Sequence, residues 1–261
     1  MQIFVINLPS AIERSKLQNK QLTKLDLRYK ILSATSTEDI SKDTYKKHYY
    51  DWQRPLRKTE VACYFSHKSA WNRVIKSKKP ALILEDDAIL SKALPELLEN
   101  LNNIKNIDLI NLENRSRKKF VSKSYKDIAC QSKLLRLYQD RTGAAGYILW
   151  PSGAKKLIQF EIKKGIGLAD AQITSCHSLK VFQVEPSPII QLDQCQDYGI
   201  SNSYTNVMSK STVSSSQNKS GGFYFIIKRL FFQLKLAFRQ LFIFTKSQRR
   251  YISIRNSDFN D

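Results

Sequence analysis

Cysteine is scarce in this sequence, and no pair stands at a spacing that defines a motif. Cys63, Cys130, Cys176 and Cys195 are scattered, without a C-x-x-C pair. This distribution argues against a disulfide scaffold and against a cysteine-rich zinc site. A protein kept in a reducing compartment is the simplest interpretation.

The first ten residues, "MQIFVINLPS", also lack the features of a secretion signal. No basic region precedes the apolar run, which is short and ends at Asn7 and Pro9. The stretch therefore predicts a first β-strand rather than a signal peptide, and we expect a cytoplasmic protein that is not exported.

Acidic residues are few relative to basic ones. The chain has 43 Lys and Arg against 23 Asp and Glu, which gives a net charge of +20. An anionic partner is expected, whether nucleic acid, acidic lipid or a phosphorylated substrate. The basic residues are spread over the whole chain, and no zinc-finger, RNP-like or KH motif is present, so we expect no nucleic-acid partner. A basic nucleic-acid-binding module remains the alternative from a different class.

Strand and helix patterns alternate along the first 205 residues. Apolar runs at 3–8, 82–84 and 107–112 predict strands, and helical spacing predicts helices at 59–77, opened by a Thr cap, and around 94–103. A basic hairpin is expected to about residue 138, then a strand and a helix opened by Pro151. This alternation predicts an α/β fold with a mostly parallel central sheet, whose chemistry lies at the carboxyl ends of its strands.

The composition changes after residue 208. Residues 209–222 are rich in Ser, Asn and Gly and predict a flexible linker between a domain at 1–208 and a tail at 223–261. The tail begins with an amphipathic helix. Its apolar face holds Ile227, Leu230, Leu234, Ala237, Leu241 and Phe242, and its basic face holds Lys228, Lys235, Arg239 and Lys246.

Three consecutive acids end the apolar run "LILEDDAIL" at residues 82–90. In a strand, Glu85 and Asp87 would point to one face and Asp86 to the other. A buried carboxylate must be paired, neutralised or bound to a metal, and two on one face can hold a divalent cation that also binds substrate phosphates. Ion pairs with the basic residues, or helix capping, are the alternative.

Four segments together resemble glycosyltransferase family 25, the lipooligosaccharide galactosyl- and glucosyltransferases of Gram-negative bacteria. They occur in the family's order, within residues 1–205: "FVINLPSAIER", "TEVACYFSHKSAW", "ALILEDDAIL" and "AAGYILWPSGAKKL". The resemblance implies a GT-A-like, Rossmann-type nucleotide-sugar domain. It also implies an inverting transfer from a UDP-sugar to a lipooligosaccharide acceptor, with galactose favoured over glucose and a β-1,4 linkage expected.

The resemblance further implies Mn²⁺ or Mg²⁺ at the acidic motif. Glu85 and Asp87 stand at the DxD-like positions, with Asp87 the more direct ligand and Asp86 nearer the sugar or ribose. Asn7, Leu8 and Arg14 match the opening motif, where the uridine would be seated. A solvated helix position is an equal alternative for Arg14.

Ser66 and His67 match the family's "SH" and are expected to contact the donor. For His67 a hydrogen bond in the core is an equal alternative. Cys63 lies four residues before His67, a spacing that suits a metal, but no second pair completes a zinc site.

Asp170 matches an acid of the family and is the candidate general base, with a helix N-cap as its competitor. His177, seven residues later, is either a further metal ligand or a surface residue, and we favour the surface. "QDYGISNSYTN" departs from the family's closing motif, which leaves Ser201 and Ser203 without an assigned role.

The C-terminal helix has too many charges to span a bilayer, and we expect it to lie on an anionic membrane surface through residues 223–255. Arg249, Arg250 and Arg255 would extend its basic face toward lipid. This predicts peripheral attachment to the inner face of the bacterial inner membrane; packing on the domain or on a partner is the alternative. A non-catalytic sugar-binding protein is a further possibility, which the intact acidic triplet disfavours. The polar segment 36–58 is the candidate for acceptor recognition.

Overall fold

A nine-stranded sheet forms the centre of the molecule in the computed structural model, which describes residues 1–140, 143–200 and 222–259. In chain order the strands are β1 (Gln2–Asn7), β2 (Lys30–Ser33), β3 (Ala81–Glu85), β4 (Ala88–Leu90), β5 (Leu109–Asn111), β6 (Glu113–Asn114), β7 (Lys119–Ile128), β8 (Ser132–Gln139), β9 (Gly146–Leu149), β10 (Val181–Glu185), β11 (Ile189–Gln191) and β12 (Ser247–Arg250). The helices are α1 (Ile12–Lys24), α2 (Lys42–His48), α3 (Lys58–Ser77), α4 (Leu94–Asn102), α5 (Pro151–Lys164), α6 (Ala169–Ser175) and α7 (Phe223–Phe244). The α/β class is confirmed.

The large sheet is mixed, which corrects the prediction of a mostly parallel one. Its strand order is β12-β7-β8-β10-β5-β9-β3-β1-β2. Only β2-β1-β3 and β5-β10 pair in parallel, and the remaining neighbours are antiparallel. β7 and β8 form a hairpin whose turn places Cys130 and Gln131 at positive φ. Strands joined by so short a turn can only be antiparallel.

Two apolar cores lie on opposite faces of this sheet. In β1 and β3, Phe4 and Ile83 face one core, whereas Val5 and Leu82 face the other. Because side chains alternate along a strand, a run that is apolar at every position is buried on both faces. α3 and α5 pack on the first core and α4 on the second, so the domain has three layers.

α3 begins at Lys58, close to the prediction, but its cap differs from the one expected. Thr59 lies inside the helix. The Glu60 carboxylate instead accepts a hydrogen bond from the Arg57 backbone N–H at 2.9 Å and pairs with Arg54. The acid therefore satisfies the helix start that a threonine was expected to satisfy.

Residues after α7, which belong to the predicted tail at 223–261, pack against the domain. β12 pairs with β7, with Arg249 opposite Phe120, and Ile252 is buried in a small core with Val121. The predicted linker lies almost wholly outside the described residues.

α7 has the two predicted faces, and the structure shows which of them meets the domain. Its basic face contacts the protein: Lys228 donates to the backbone carbonyls of Tyr50 and Asp51, and Arg239 donates to the carbonyl of Tyr138. Its apolar face is exposed, including Ile227, Leu230, Leu234, Leu241 and Phe242. Arg250 and Arg255, expected to face lipid, instead bind Glu185 and the Cys130 carbonyl.

Candidate active site

The three acids lie where two parallel strands end at the same edge of the sheet. β3 ends at Glu85, and Asp86 and Asp87 form the turn into β4. Ile6 of β1 pairs with Glu85, so the end of β1 at Asn7 stands beside the acidic turn. Strand register thus explains how "INLP" and "LEDD", far apart in the sequence, meet.

Asp86 is held by the first strand and helix. Its carboxylate accepts hydrogen bonds from Asn7 Nδ2 at 2.9 Å and from Arg14 Nη1 at 3.0 Å. Burial raises the pKa of Asp86, and Arg14 and Asn7 oppose that rise. The solvated position considered for Arg14 is wrong, because this ion pair is largely buried.

Glu85 is held by a chain of buried hydrogen bonds. Trp71 Nε1 lies 2.8 Å from the Tyr147 hydroxyl, which lies 2.9 Å from His67 Nδ1, and His67 Nε2 lies 3.0 Å from Glu85 Oε1. The Glu85 carboxylate only accepts, so His67 carries a proton on Nε2 and donates it to Glu85. In the neutral imidazole Nδ1 then accepts from the Tyr147 hydroxyl, which accepts in turn from the indole N–H of Trp71. The structure thus shows the hydrogen bond in the core that was one of the two roles considered for His67, and contact with the donor stays a prediction.

We expect Tyr147→Phe to destabilise the fold by about 1–3 kcal/mol, because it leaves the buried Trp71 N–H and His67 Nδ1 without their partner. Urea denaturation of the variant measures this loss. Tyr125→Phe is the matched control, because Tyr125 is half exposed and its hydroxyl has no hydrogen bond among the described residues. Equal midpoints for the two variants would contradict the proposed chain.

Asp87 has an unpartnered oxygen. Its Oδ1 is buried and accepts no hydrogen bond from any described residue. Burial, with the negative charge of Glu85 and Asp86, raises the pKa of Asp87 to about 7. A divalent cation between Glu85 and Asp87 would supply the missing partner and offset the repulsion. The side chains present therefore fit the expected metal.

A second set of potential ligands shares Glu85. Single ligand atoms of Cys63, His67 and Glu85 lie within 4.8 Å of one another, so the structure adds the third ligand that the sequence left open. Burial and the nearby carboxylates raise the pKa of the Cys63 thiol well above its usual range. A thiophilic ion would also have to displace the His67 Nε2 proton. A hard cation on oxygen ligands suits the site better.

Asp170 lies in the first turn of α6 and faces the same region. Its Oδ1 accepts a hydrogen bond from the Ala171 N–H at 2.7 Å, whereas the N-cap residue is Leu168, so the N-cap alternative is wrong. Burial and the charge of Glu85 raise the pKa of Asp170. A carboxyl with a raised pKa suits a base that takes a proton near neutral pH.

Three other predicted positions differ in placement. Ser66 is buried, and its hydroxyl donates to the Ala62 carbonyl and accepts from the Thr35 N–H, so it braces backbone rather than the acidic cluster. Leu8 follows β1, where its carbonyl accepts from Ala11. His177 lies beyond the end of α6 and beside α7, so it does not share a helix face with Asp170. Ser201 and Ser203 lie outside the described residues.

Glu113 is a fourth carboxylate that the sequence analysis missed. It is fully buried, accepts from the Ala145 N–H at 2.8 Å, and leaves Oε1 without a partner among the described residues. Burial and Glu85 raise the pKa of Glu113 well above its usual range. Gly143 approaches so closely that a Cβ there would stand 2.5 Å from Glu113 Oε2. The sequence did contain a signal for Glu113, because this residue, like Glu85, is an acid at the end of an apolar run.

Three curated proteins are similar in sequence to this chain. A Haemophilus influenzae protein named "Putative glycosyltransferase" is 27% identical over 64% of this chain and 60% of its own length. Human procollagen galactosyltransferase 2 is 25% identical over 60% of this chain and 27% of its own length, and the zebrafish (Danio rerio) procollagen galactosyltransferase 1 is 25% identical over 61% and 28%. All three are named as glycosyltransferases.

The family follows from a match to its model. The model of glycosyltransferase family 25, described as an LPS biosynthesis protein family, matches residues 1–173. The chain belongs to this family, as the four segments predicted. It spans less than two thirds of the length of the curated relatives it matches.

Among solved structures, the inositol-1-phosphate CTP transferase of T. maritima overlays with a TM-score of 0.42 at 11% identity. The overlay covers 81% of this chain and 97% of that one. So weak a likeness says nothing about the site.

Proposed function

We propose that the chain is an inverting, metal-assisted glycosyltransferase that uses a UDP-sugar donor. The observation that carries the proposal is the buried, unpartnered Oδ1 of Asp87 beside Glu85, at the ends of parallel strands. Although the chain has a net charge of +20, several carboxylates lie together at this site, and Arg14 is the cation that pairs with them. Such a site suits a cation and the diphosphate it binds.

Glu85 and Asp87 would hold Mn²⁺ or Mg²⁺, which when bound neutralises charge on the leaving diphosphate. The other residues have positioning roles. His67 fixes Glu85, while Asn7 and Arg14 fix the turn through Asp86 and border the space for the nucleoside. The Asp86 carboxylate already accepts hydrogen bonds from Asn7 and Arg14. Any hydrogen bond from the sugar or ribose to Asp86 would use the remaining lone pairs of its oxygens.

Asp170 would accept the proton of the acceptor hydroxyl as that oxygen attacks the anomeric carbon and the bond to the diphosphate breaks. Attack from the side opposite the leaving group gives inversion. The Ala171 N–H at 2.7 Å orients the Asp170 carboxylate for this role.

Calorimetric titration of UDP into the protein, with Mn²⁺ and with EDTA, tests the donor class. We expect saturable binding that depends on the cation. Binding that is equal in EDTA would remove the metal from the proposal, and no binding in either condition would overturn the donor. A transfer assay with UDP-galactose and UDP-glucose then separates the two sugars; galactose is favoured, because two relatives are named galactosyltransferases.

The acceptor we propose is lipooligosaccharide, presented at an anionic lipid surface. The structure contains no helix among the described residues that is long and apolar enough to cross a membrane. α7 instead exposes an apolar stripe, in which Phe231 is 67% and Phe242 is 78% exposed. Arg229, Lys246 and Arg249 are exposed around it. An apolar stripe flanked by cations suits insertion into the headgroup region, on the inner face of the inner membrane.

We expect the protein to bind vesicles of phosphatidylglycerol and phosphatidylcholine more tightly than vesicles of phosphatidylcholine alone. Phe231→Glu/Phe242→Glu should weaken that binding by about tenfold or more, since burial of each phenylalanine side chain in the membrane contributes a free energy of about 1.5–3 kcal/mol. Flotation measures it. Ile162→Glu, which changes an exposed residue of α5, is the control. A concentration-dependent dimer that the double variant dissociates would instead assign the stripe to a partner copy.

A further inference from the structure

A cavity of about 580 Å³ separates α7 from the domain. Two ring contacts anchor the helix at one side of it: Tyr50 stacks on Phe225 with centroids 5.7 Å apart, and Trp52 meets Phe232 at 5.4 Å. The opposite wall is formed by α6 and the end of β8. The volume falls in the usual range of small-molecule sites, roughly 300–1,000 Å³.

The lining is rich in amides and aromatic rings. Five glutamines border the cavity: Gln53, Gln139, Gln172, Gln233 and Gln240. Gln139 is 4% exposed, and its Oε1 has no hydrogen-bond partner among the described residues. A buried acceptor without a donor is costly unless a ligand supplies one. Amides that pair with hydroxyls, beside the rings of Trp52 and Phe232, suit a saccharide.

The charges at the cavity favour an anion. Both of its acids already have partners: the Asp51 carboxylate is hydrogen-bonded to His48 and to the Ile166 N–H, and Asp140 forms an ion pair with Lys119. Lys164 and Lys235 border the cavity and form no ion pair among the described residues. Burial first, and then the positive charges of Arg239 and Lys235, lower the pKa of His177 to about 4.

The cavity leads toward the candidate base. A smaller cleft shares Gln139, Asp140 and His177 with it and reaches Gly143. The Gly143 backbone N–H in turn bonds to the Asp170 carboxylate and lowers its pKa. A sugar held in the cavity would therefore extend toward Asp170.

We propose that the cavity under α7 binds a saccharide unit that bears a phosphate or carboxylate, and that it holds the acceptor. The second half of this inference rests on the proposed function. Lys164 and Lys235 bind the anionic group, Gln139 Oε1 accepts a hydrogen bond from a sugar hydroxyl, and α7 closes the site while its outer face lies on lipid. Residues Asp51, Trp52 and Gln53 of the polar segment 36–58 form part of the wall.

The test follows imidazole signals by NMR, which is practical because the chain has only three histidines. Glucose 6-phosphate is the probe, with glucose and inorganic phosphate alongside. We expect glucose 6-phosphate to shift the His177 signal saturably, and more tightly than either comparison compound. Lys164→Gln/Lys235→Gln should weaken its binding by about tenfold or more, because two charge-assisted contacts are lost. Both lysines are exposed, so the fold should be unaffected.

Lys155→Gln/Lys163→Gln removes two exposed lysines outside the cavity and is the matched control. No shift at His177, equal affinity for inorganic phosphate, or equal effects of the two double variants would overturn the inference. UDP with diamagnetic Mg²⁺ added to the same sample should shift the His67 signal instead. If the His67 signal responds to UDP but the His177 signal does not respond to glucose 6-phosphate, the cavity proposal is overturned and the proposed function stands. If only the His177 signal responds, the proposed UDP-sugar donor is overturned and an anionic-saccharide site remains.

Discussion

Replacement of Asp87 by asparagine is expected to lower the rate of sugar transfer by about 10²–10³-fold, the size of effect seen when one group that stabilises developing charge is removed. Asparagine has nearly the same shape, so the buried turn keeps its packing. It carries no negative charge, and its amide nitrogen cannot bind a cation. We propose Asp87 as the critical ligand because its Oδ1 has no other partner among the described residues.

Two measurements separate loss of the metal from loss of the fold. Calorimetry should show that Asp87→Asn no longer binds UDP more tightly in Mn²⁺ than in EDTA, while its urea midpoint is equal to or above that of the wild type, because a buried charge has been removed. Asp43→Asn, on the exposed side of α2, should change neither quantity. Transfer at the normal rate by Asp87→Asn would show that the metal, if used, is held elsewhere.

Asp170→Asn is expected to reduce kcat by about 10²–10⁴-fold while leaving metal-dependent UDP binding intact, which is the usual contribution of a positioned general base. A loss of kcat without a loss of UDP binding is the diagnostic result, since Asp170 is proposed to act on the acceptor and not on the donor. A steady-state assay with saturating donor, combined with calorimetry, measures both. Asp127→Asn in the exposed hairpin is the control.

The pH profile of the wild type adds a second readout for Asp170. Burial first, and then Glu85 and Asp140, raise the pKa of this carboxyl above its usual value, while the Ala171 and Gly143 N–H groups lower it. A base works only when deprotonated, so the rate should fall as the pH drops through this raised pKa. The residual activity of Asp170→Asn should lack that acidic limb. An unchanged limb would assign the base to another group.

Much of the domain was predictable because its signals are local. β1 and β3 are apolar at every position, since both faces of the sheet are covered, and α3 repeats its apolar residues at helical spacing. The acidic turn stood out for the same reason: three carboxylates after a buried strand contradict their surroundings and require a partner. Asp87 and Glu85 were therefore identifiable without coordinates, although their role stays a prediction.

Other features depended on contacts between distant segments. A strand's own residues do not state the direction of its neighbour, so the antiparallel pairing of β9 with β3 and β5 was missed. The chain of Trp71, Tyr147 and His67 joins α3 to β9, and none of these residues is unusual where it stands in the sequence. Glu113 had a local signal, but only its burial against Gly143 distinguishes it from an acid in water.

α7 shows most clearly which features follow from the sequence and which depend on the tertiary structure. The sequence by itself determined that residues 223–244 form a helix with one apolar and one basic face, because periodicity is a property of the chain alone. Which face meets the protein depends on what the domain offers. Here the carbonyls of Tyr50, Asp51 and Tyr138 accept hydrogen bonds from Lys228 and Arg239, so the cations turn inward. Only the tertiary structure could decide that orientation, since the free energy that sets it comes from groups brought together by folding.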